Sequence, residues 1–195
     1  MAKRTKVVDK WKTKKWFRVE APSTFDNSEV CEIVATDEKQ LMNRIITVNL
    51  SSLTSSRSQM AAFTRVQLRV CEVGPTTAKT KLIGHSVSSA YMKTFARRGK
   101  TLGHYVVDVK TKDGEVLRVK AIAVTTGRIS ATTKKNLGKK IIEEILNLLK
   151  DLTFEEAMKE ILYEKFSPKI FGKLKQITSM RRFEIRKTER KETFN

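Results

Sequence analysis

Cysteine and histidine are scarce in this chain of 195 residues: two of each, Cys31 and Cys71, His85 and His104. The cysteines are far apart and form no CxxC pair, which argues against a disulfide framework. No familiar zinc spacing can be completed with the histidines, so no metal site is expected. The cysteines are expected to be reduced, small core residues. No apolar run approaches the length of a transmembrane helix. The first ten residues, MAKRTKVVDK, lack the apolar core of a secretory signal, so an intracellular protein is expected.

Catalytic signatures are missing as well. There is no GxSxG, no HExxH and no dinucleotide fingerprint. Asn136-Leu137-Gly138-Lys139-Lys140 lacks the upstream glycine of a phosphate loop, and Lys140 stands where Ser or Thr would hold magnesium. The adjacent pairs Glu143-Glu144 and Glu155-Glu156 diverge on a helix and read as a solvated face. His85 and His104 lie in or beside strands, where a structural or RNA-stacking role is expected rather than general base. An enzyme reading has no residues to rest on, and no cofactor is expected.

Acidic residues are the remaining shortage, with 21 Asp and Glu against 40 Lys and Arg and a net charge of +19. Such an excess does nothing for folding and calls for a polyanionic partner, RNA or DNA first and an anionic membrane second. The membrane reading is weak, because no basic helix carries Trp, Phe and Leu on its opposite face.

The charge is also segregated. Lys3, Arg4, Lys6, Lys10, Lys12, Lys14, Lys15 and Arg18 face Asp9 alone within the first 18 residues. Residues 19–62 are mildly acidic, residues 93–140 basic, 141–166 acidic, and the stretch from Ser167 onward basic again. Interspersed charge would merely keep a protein in solution, whereas blocks of one sign mark binding surfaces. Arg97, Arg98 and Lys100 close a short helix around Gly99. Arg128, Lys134, Lys135, Lys139 and Lys140 run from the Thr126–Thr133 loop into what reads as the first turns of a long helix. Lysine there opposes the helix dipole, and a phosphate would reverse that penalty. Arg181, Arg182, Arg186 and Lys187 make the last cluster. Gly, Ser and Thr around 127–133 add donors suited to phosphate oxygens.

Between the basic blocks, alternation predicts strands: Val66, Leu68 and Val70 alternate with Arg65, Gln67 and Arg69. Shorter β-type runs cover 29–36 and 43–50, and 78–87 reads as another, before a helix over 88–98. Asp113-Gly114 between two apolar runs is a strong hairpin signal. Five or six strands at this spacing predict an antiparallel barrel or sandwich. Leu137, Ile141, Ile142, Ile145, Leu148 and Leu149 form a helical stripe. Thr153 with Glu156 makes a capping box for a second helix, and Ser167-Pro168 reads as the N-cap and first turn of a third, over 169–177. Residues 181–189 alternate again and predict a returning strand. The expected fold is therefore α+β: a basic extension (1–15), an antiparallel β-barrel-like body with a short helix (16–130), a helical segment (131–180), and a final strand with a tail (181–195).

The run KLIGHSVSSAYMKTFARRG, followed by VVDVKTKDGEVLRVKAIAVTTGRIS, resembles the archaeal and eukaryotic small-subunit ribosomal protein family called S-three-A-e, or e-S-one. WFRVEAPSTF at 16–25 and MRRFEIRKTE at 180–189 are similar to that family's opening and closing motifs. NRIITVNLSSL resembles its Arg-apolar signature, departing at Asn43, Thr47 or Val48, and Ser52. The resemblance runs from Lys10 to Glu189, and the short stretch after Glu189 is similar to archaeal members. It implies a β-barrel-like body with C-terminal helices on the platform of the small subunit, in the cytoplasm. There it would contact ribosomal RNA, neighbouring proteins and, near its exit, mRNA, with no membrane and no homo-oligomer. The implied role is structural, without catalysis. A free-standing RNA-binding regulator or chaperone is the alternative. On this reading Trp16, Phe17 and Val19 anchor the basic tail to the body. Trp11 is left to stack on an unpaired base, meet a protein neighbour, or pack on the body.

Overall fold

A computed structural model describes Asp9, residues 11–54 and residues 58–192. The described residues form one eight-stranded sheet and six α-helices. In chain order these are β1 (Lys15–Glu20), β2 (Glu29–Ala35), β3 (Ile45–Asn49), α1 (Leu50–Leu53), α2 (Gln59–Phe63), β4 (Thr64–Val73), β5 (Thr77–Val87), α3 (Ser89–Lys93), β6 (Leu102–Lys110), β7 (Val116–Thr125), α4 (Ala131–Leu149), α5 (Phe154–Leu162), α6 (Phe166–Leu174) and β8 (Met180–Lys191).

The sheet forks at β5. One edge of β5 pairs antiparallel with β4, which carries β3. Its other edge is divided: Thr77–Lys79 pair in parallel with β1, and Gly84–Ser86 pair antiparallel with β8. One wing is thus β1–β2 and the other β8–β7–β6. Closing a barrel requires the outermost strands to pair, and here β2 and β6 end separate wings. The expected barrel of five or six strands is therefore corrected to an open, forked sheet of eight. At the fork a Cβ on Gly84 would lie 2.1 Å from the Thr188 carbonyl oxygen, so only glycine lets β8 come this close.

The helices cover one face of the β6–β7–β8 wing. Leu137, Ile141, Ile145 and Leu149 of α4 are buried as expected, but Ile142 of that stripe is exposed. α5 opens on the predicted capping box, in which Thr153 and Glu156 exchange side-chain and backbone bonds. Its first N–H group, on Phe154, donates to the Asp113 carboxylate in the hairpin turn (3.0 Å), where Gly114 has φ +77°. α6 begins at Phe166, so Pro168 lies in its first turn as expected, but Ser167 is inside the helix instead of capping it; the fully buried Phe166 draws the helix start back. α3 is shorter than expected, because buried Phe95 turns the chain away after Lys93.

β1 corrects the expected anchoring of the tail. Phe17 and Val19 are buried with Ile33, Leu41 and Val70, whereas Trp16 is 64% exposed. Successive side chains of a strand point to opposite faces, so Trp16 and Phe17 cannot share one core. Cys31 is half-buried, and burial pushes its thiol up, but Cys71 is exposed. The β4 register shifts between Val70 and Glu72, and this bulge turns Cys71 outward.

Candidate nucleic-acid interface

Three segments meet at one end of the β6–β7–β8 wing: the chain after α3, the loop from β7 into α4, and the start of β8. Short polar side chains tie them together. Thr125 receives the Thr101 N–H on its hydroxyl (3.1 Å), Thr101 receives the Ile129 N–H in the same way (3.2 Å), and the Ser179 hydroxyl donates to that of Thr126 (3.0 Å). Each segment brings one basic cluster from the sequence, so Arg97 to Lys100, Arg128 with Lys134 and Lys135, and Arg181 with Arg182 share this end.

At its centre is a cleft of about 310 Å³ walled by Thr94, Phe95, Arg97, Val124, Arg181 and Arg182. Phe95 packs with Ile122 and Val124 on the sheet face away from the long helices, which fixes the backbone leading to Arg97. Gly99, at φ +77°, then reverses the chain toward β6. The β8–β7 register sets Arg182 opposite Val124. Its guanidinium lies 4.8 Å from the Phe95 ring centroid and 5.8 Å from that of Tyr91, and its Nε is 3.0 Å from Glu184 Oε1. Arg97 and Arg181 make no ion pair among the described residues. Two free guanidiniums and a stacked third around one cleft form a fork-donor site for phosphate oxygens.

The other predicted residues divide. Arg98, Arg128, Lys134, Lys135 and Lys139 are exposed, and Lys100 is half-buried. Lys134 and Lys135 stand in the opening turns of α4, whose N-cap Ser130 accepts from the Thr133 N–H. Lys139 and Lys140 lie more than a turn further on, outside the first turns where they were expected. Lys140 faces Glu144 (3.3 Å) and Glu143 (3.8 Å). Glu144 itself is buried, contrary to the expected solvated face, and Lys173 (2.6 Å) with Lys140 holds its carboxyl low. Lys187 is paired with Glu189, while Arg186 is exposed.

The N-terminal block lies elsewhere. β1 and β7 both run antiparallel to β8 or parallel to the strand that is, so Lys15 starts at the end of the sheet opposite the arginine cleft. Lys12 and Lys15 are exposed, and Lys14 Nζ covers the Trp11 ring at 3.6 Å. Trp11 is 70% exposed, which removes the alternative of packing on the body. Lys3, Arg4, Lys6 and Lys10 lie outside the described residues.

His85 is no part of this interface. Its ring is buried between Thr188 Oγ1 (2.7 Å, at Nδ1) and the Ile185 carbonyl (3.4 Å, at Nε2), and desolvation lowers its pKa to about 4. It is a neutral structural group. His104 is exposed on β6. Among the described residues no group of His, Cys, Asp and Glu could hold a metal ion, and no helix is long and apolar enough to cross a membrane.

The model of the ribosomal S3Ae family matches residues 2–193. The chain belongs to that family. Among S3Ae relatives, it is 36% identical over 190 residues to small ribosomal subunit protein eS1 of Sulfurisphaera tokodaii, covering 97% of both chains. It is 32% identical to eS1 of Desulfurococcus amylolyticus, over 95% of this chain and 86% of that one. With eS1 of Methanothermobacter thermautotrophicus it shares 30% identity, over 96% and 95%.

Sequence reasoning missed the aromatic part of this S3Ae surface. Phe63 stacks on Tyr91 (centroids 4.7 Å apart, 11° between planes), and Tyr91 meets Phe95 edge-on at 4.9 Å. The spacing of Tyr91 and Phe95, four apart before an arginine pair, was the available signal; Phe63 had none, since its partner is set by the fold.

Proposed function

We propose that this chain is a structural protein of the small ribosomal subunit in translation, anchored to ribosomal RNA through the arginine end of its β6–β7–β8 wing. Membership of the S3Ae family and relatives named for the small subunit support the ribosomal role, whose working place is the cytoplasmic ribosome. The observation that carries the RNA contact is the convergence of Arg97, Arg181 and Arg182 on one cleft, with Lys134 and Lys135 on the adjoining loop and helix. Lys12, Lys14, Lys15 and the exposed Trp11 form a second contact at the opposite end, continued by Lys3, Arg4, Lys6 and Lys10. The protein acts here as a scaffold without catalysis, with its place on the platform near the mRNA exit and neighbouring small-subunit proteins, ribosomal RNA and mRNA as partners.

Titration of the purified protein with small-subunit RNA at rising salt tests this reading. Each phosphate neutralised steepens the fall of log affinity against log salt by about 0.7–0.9. Reversing Arg97, Arg181, Lys134 and Lys135 together to Glu is expected to lower affinity about 10²-fold or more at low salt and to flatten the slope. Unchanged affinity in that variant would remove the arginine end from the interface.

A further inference from the structure

Arg181 and Arg182 border a second cleft on the side away from Arg97. It has a volume of about 290 Å³, near the lower end of the size of ligand pockets. Met60, Pro168, Phe171 and Phe183 give it apolar walls, and Glu184 and Ser167 supply polar groups. β8 pairs with β5 only from Lys187 onward, so among the described residues no strand occupies the edge of Met180–Arg186 that faces away from β7.

Glu184 is the unexplained group here. Its side chain is 8% exposed, so nine-tenths buried. Oε1 takes Arg182 Nε at 3.0 Å and the Tyr91 hydroxyl at 3.4 Å, whereas Oε2 has no hydrogen-bond partner among the described residues. A buried carboxylate oxygen without a donor is costly, and its persistence points to a ligand that brings one. Burial pushes this carboxyl up even beside Arg182.

We infer that the two clefts together hold a single unpaired ribonucleotide, its phosphate between Arg97, Arg181 and Arg182, and its base in the Phe171 cleft with an exocyclic amine on Glu184. This rests on the ribosomal RNA reading above and names the RNA element that reading leaves open. A base in a duplex cannot enter a walled cleft, whereas an unstacked one presents both its flat face and its edge. Arginine spans the gap between the two sites, since its guanidinium bonds phosphate at its rim and stacks on a ring with its face. The amine criterion disfavours uracil, which has no exocyclic amine and offers only its ring N3–H between two carbonyl oxygens, whereas cytosine, adenine and guanine carry N–H₂ donors. An acceptor already short of donors repels those oxygens.

The test uses the full chain and fluorescent single-stranded octamers of cytidine, adenosine and uridine, with equilibrium binding measured at one fixed salt. The expected result is cytidine and adenosine octamers bound at least about fivefold more tightly than the uridine octamer. Glu184→Gln is expected to abolish that preference. Ser167→Leu, which fills the cleft without touching the carboxylate, is expected to weaken the preferred octamers about tenfold and spare binding of structured RNA through Lys134 and Lys135. Circular dichroism of each variant checks that it is folded. Equal affinity for the three octamers, or preference retained in both variants, overturns the inference and leaves the cleft to a protein neighbour, with the RNA reading intact. Loss of all RNA binding in the wild-type protein would instead overturn the RNA reading itself.

Discussion

The outer face of the β6–β7–β8 wing has two ends, both rich in Arg and Lys, and they differ in what the cations do. At the far end they are spent within the protein. Asp108 accepts two bonds from Arg118 (2.7 and 2.9 Å) and one from Lys191 (2.6 Å), and Lys120 meets Glu189 at 2.8 Å. Beyond this face the same holds: Arg190, against Phe154 of α5, pairs with Glu115, and Arg69 of β4 with Glu192. At the near end Arg97 and Arg181 meet no carboxylate among the described residues, and Arg182 shares Glu184 with a tyrosine. A basic residue in a basic protein is thus not an RNA ligand by default. The near end keeps its cations available because an apolar cluster, Tyr91, Phe95, Ile122 and Val124, occupies the ground on which carboxylates would sit.

The largest expected effect breaks the frame that both ends share. Gly84→Ala drives a methyl group into the Thr188 carbonyl at the fork, where backbone cannot give way cheaply. It is expected to cost about 3 kcal/mol or more, lowering the melting temperature by about 10 °C in a calorimetric scan. A variant that melts normally would mean that the wings do not depend on close contact at Gly84.

Next comes the histidine beside the same joint. His85 resists protonation down to about pH 4 in the fold, against about 6.5 when unfolded. The unfolded chain therefore binds the proton first as pH drops. This contribution to stability is complete above about pH 6.5 and is lost progressively toward pH 4, amounting to about 3 kcal/mol. Urea denaturation at pH 7.5 and 4.5 is expected to show a steeper loss for the wild type than for His85→Gln, with RNA affinity at pH 7.5 unaltered in the variant. Parallel losses would contradict a buried neutral ring.

The smallest effect sharpens the comparison directly. Arg118 and Lys191 hold the Asp108 carboxyl well below the usual carboxylate range. Asp108→Asn frees two cations at the far end and is expected to raise low-salt RNA affinity no more than about threefold, with stability nearly unchanged, as for exposed ion pairs. A tenfold gain would show that pairing, not position, is what keeps the far end out of the interface.

Local rules made much of this legible in the sequence. Asp113-Gly114 forms its hairpin turn between β6 and β7, Thr153 and Glu156 form their capping box, and alternation located β4 and β8, because each depends on neighbours in the chain. The basic clusters were legible as clusters. Their meeting was not: Arg97 and Arg181 are joined only through the pairing of β7 with β8 and the hydroxyl ties of Thr101, Thr125 and Ser179. The fork at β5 was equally hidden, since a strand's sequence does not say that its edge will be divided between two partners. Trp16 was misassigned by treating neighbouring aromatics as one anchor, where the period of two separates them.

The position of β8 bears on the order of synthesis. Of the eight described strands it is made last, yet it lies between β5 and β7 and joins the β6–β7 hairpin to the rest of the sheet. Until it emerges, the β4–β5 pair and the β6–β7 hairpin have no strand in common, and each must wait with an open edge. The same strand brings Arg181 and Arg182 to the cleft. A chain still being made therefore lacks both its joined sheet and a complete arginine cleft, and acquires the two in one late step.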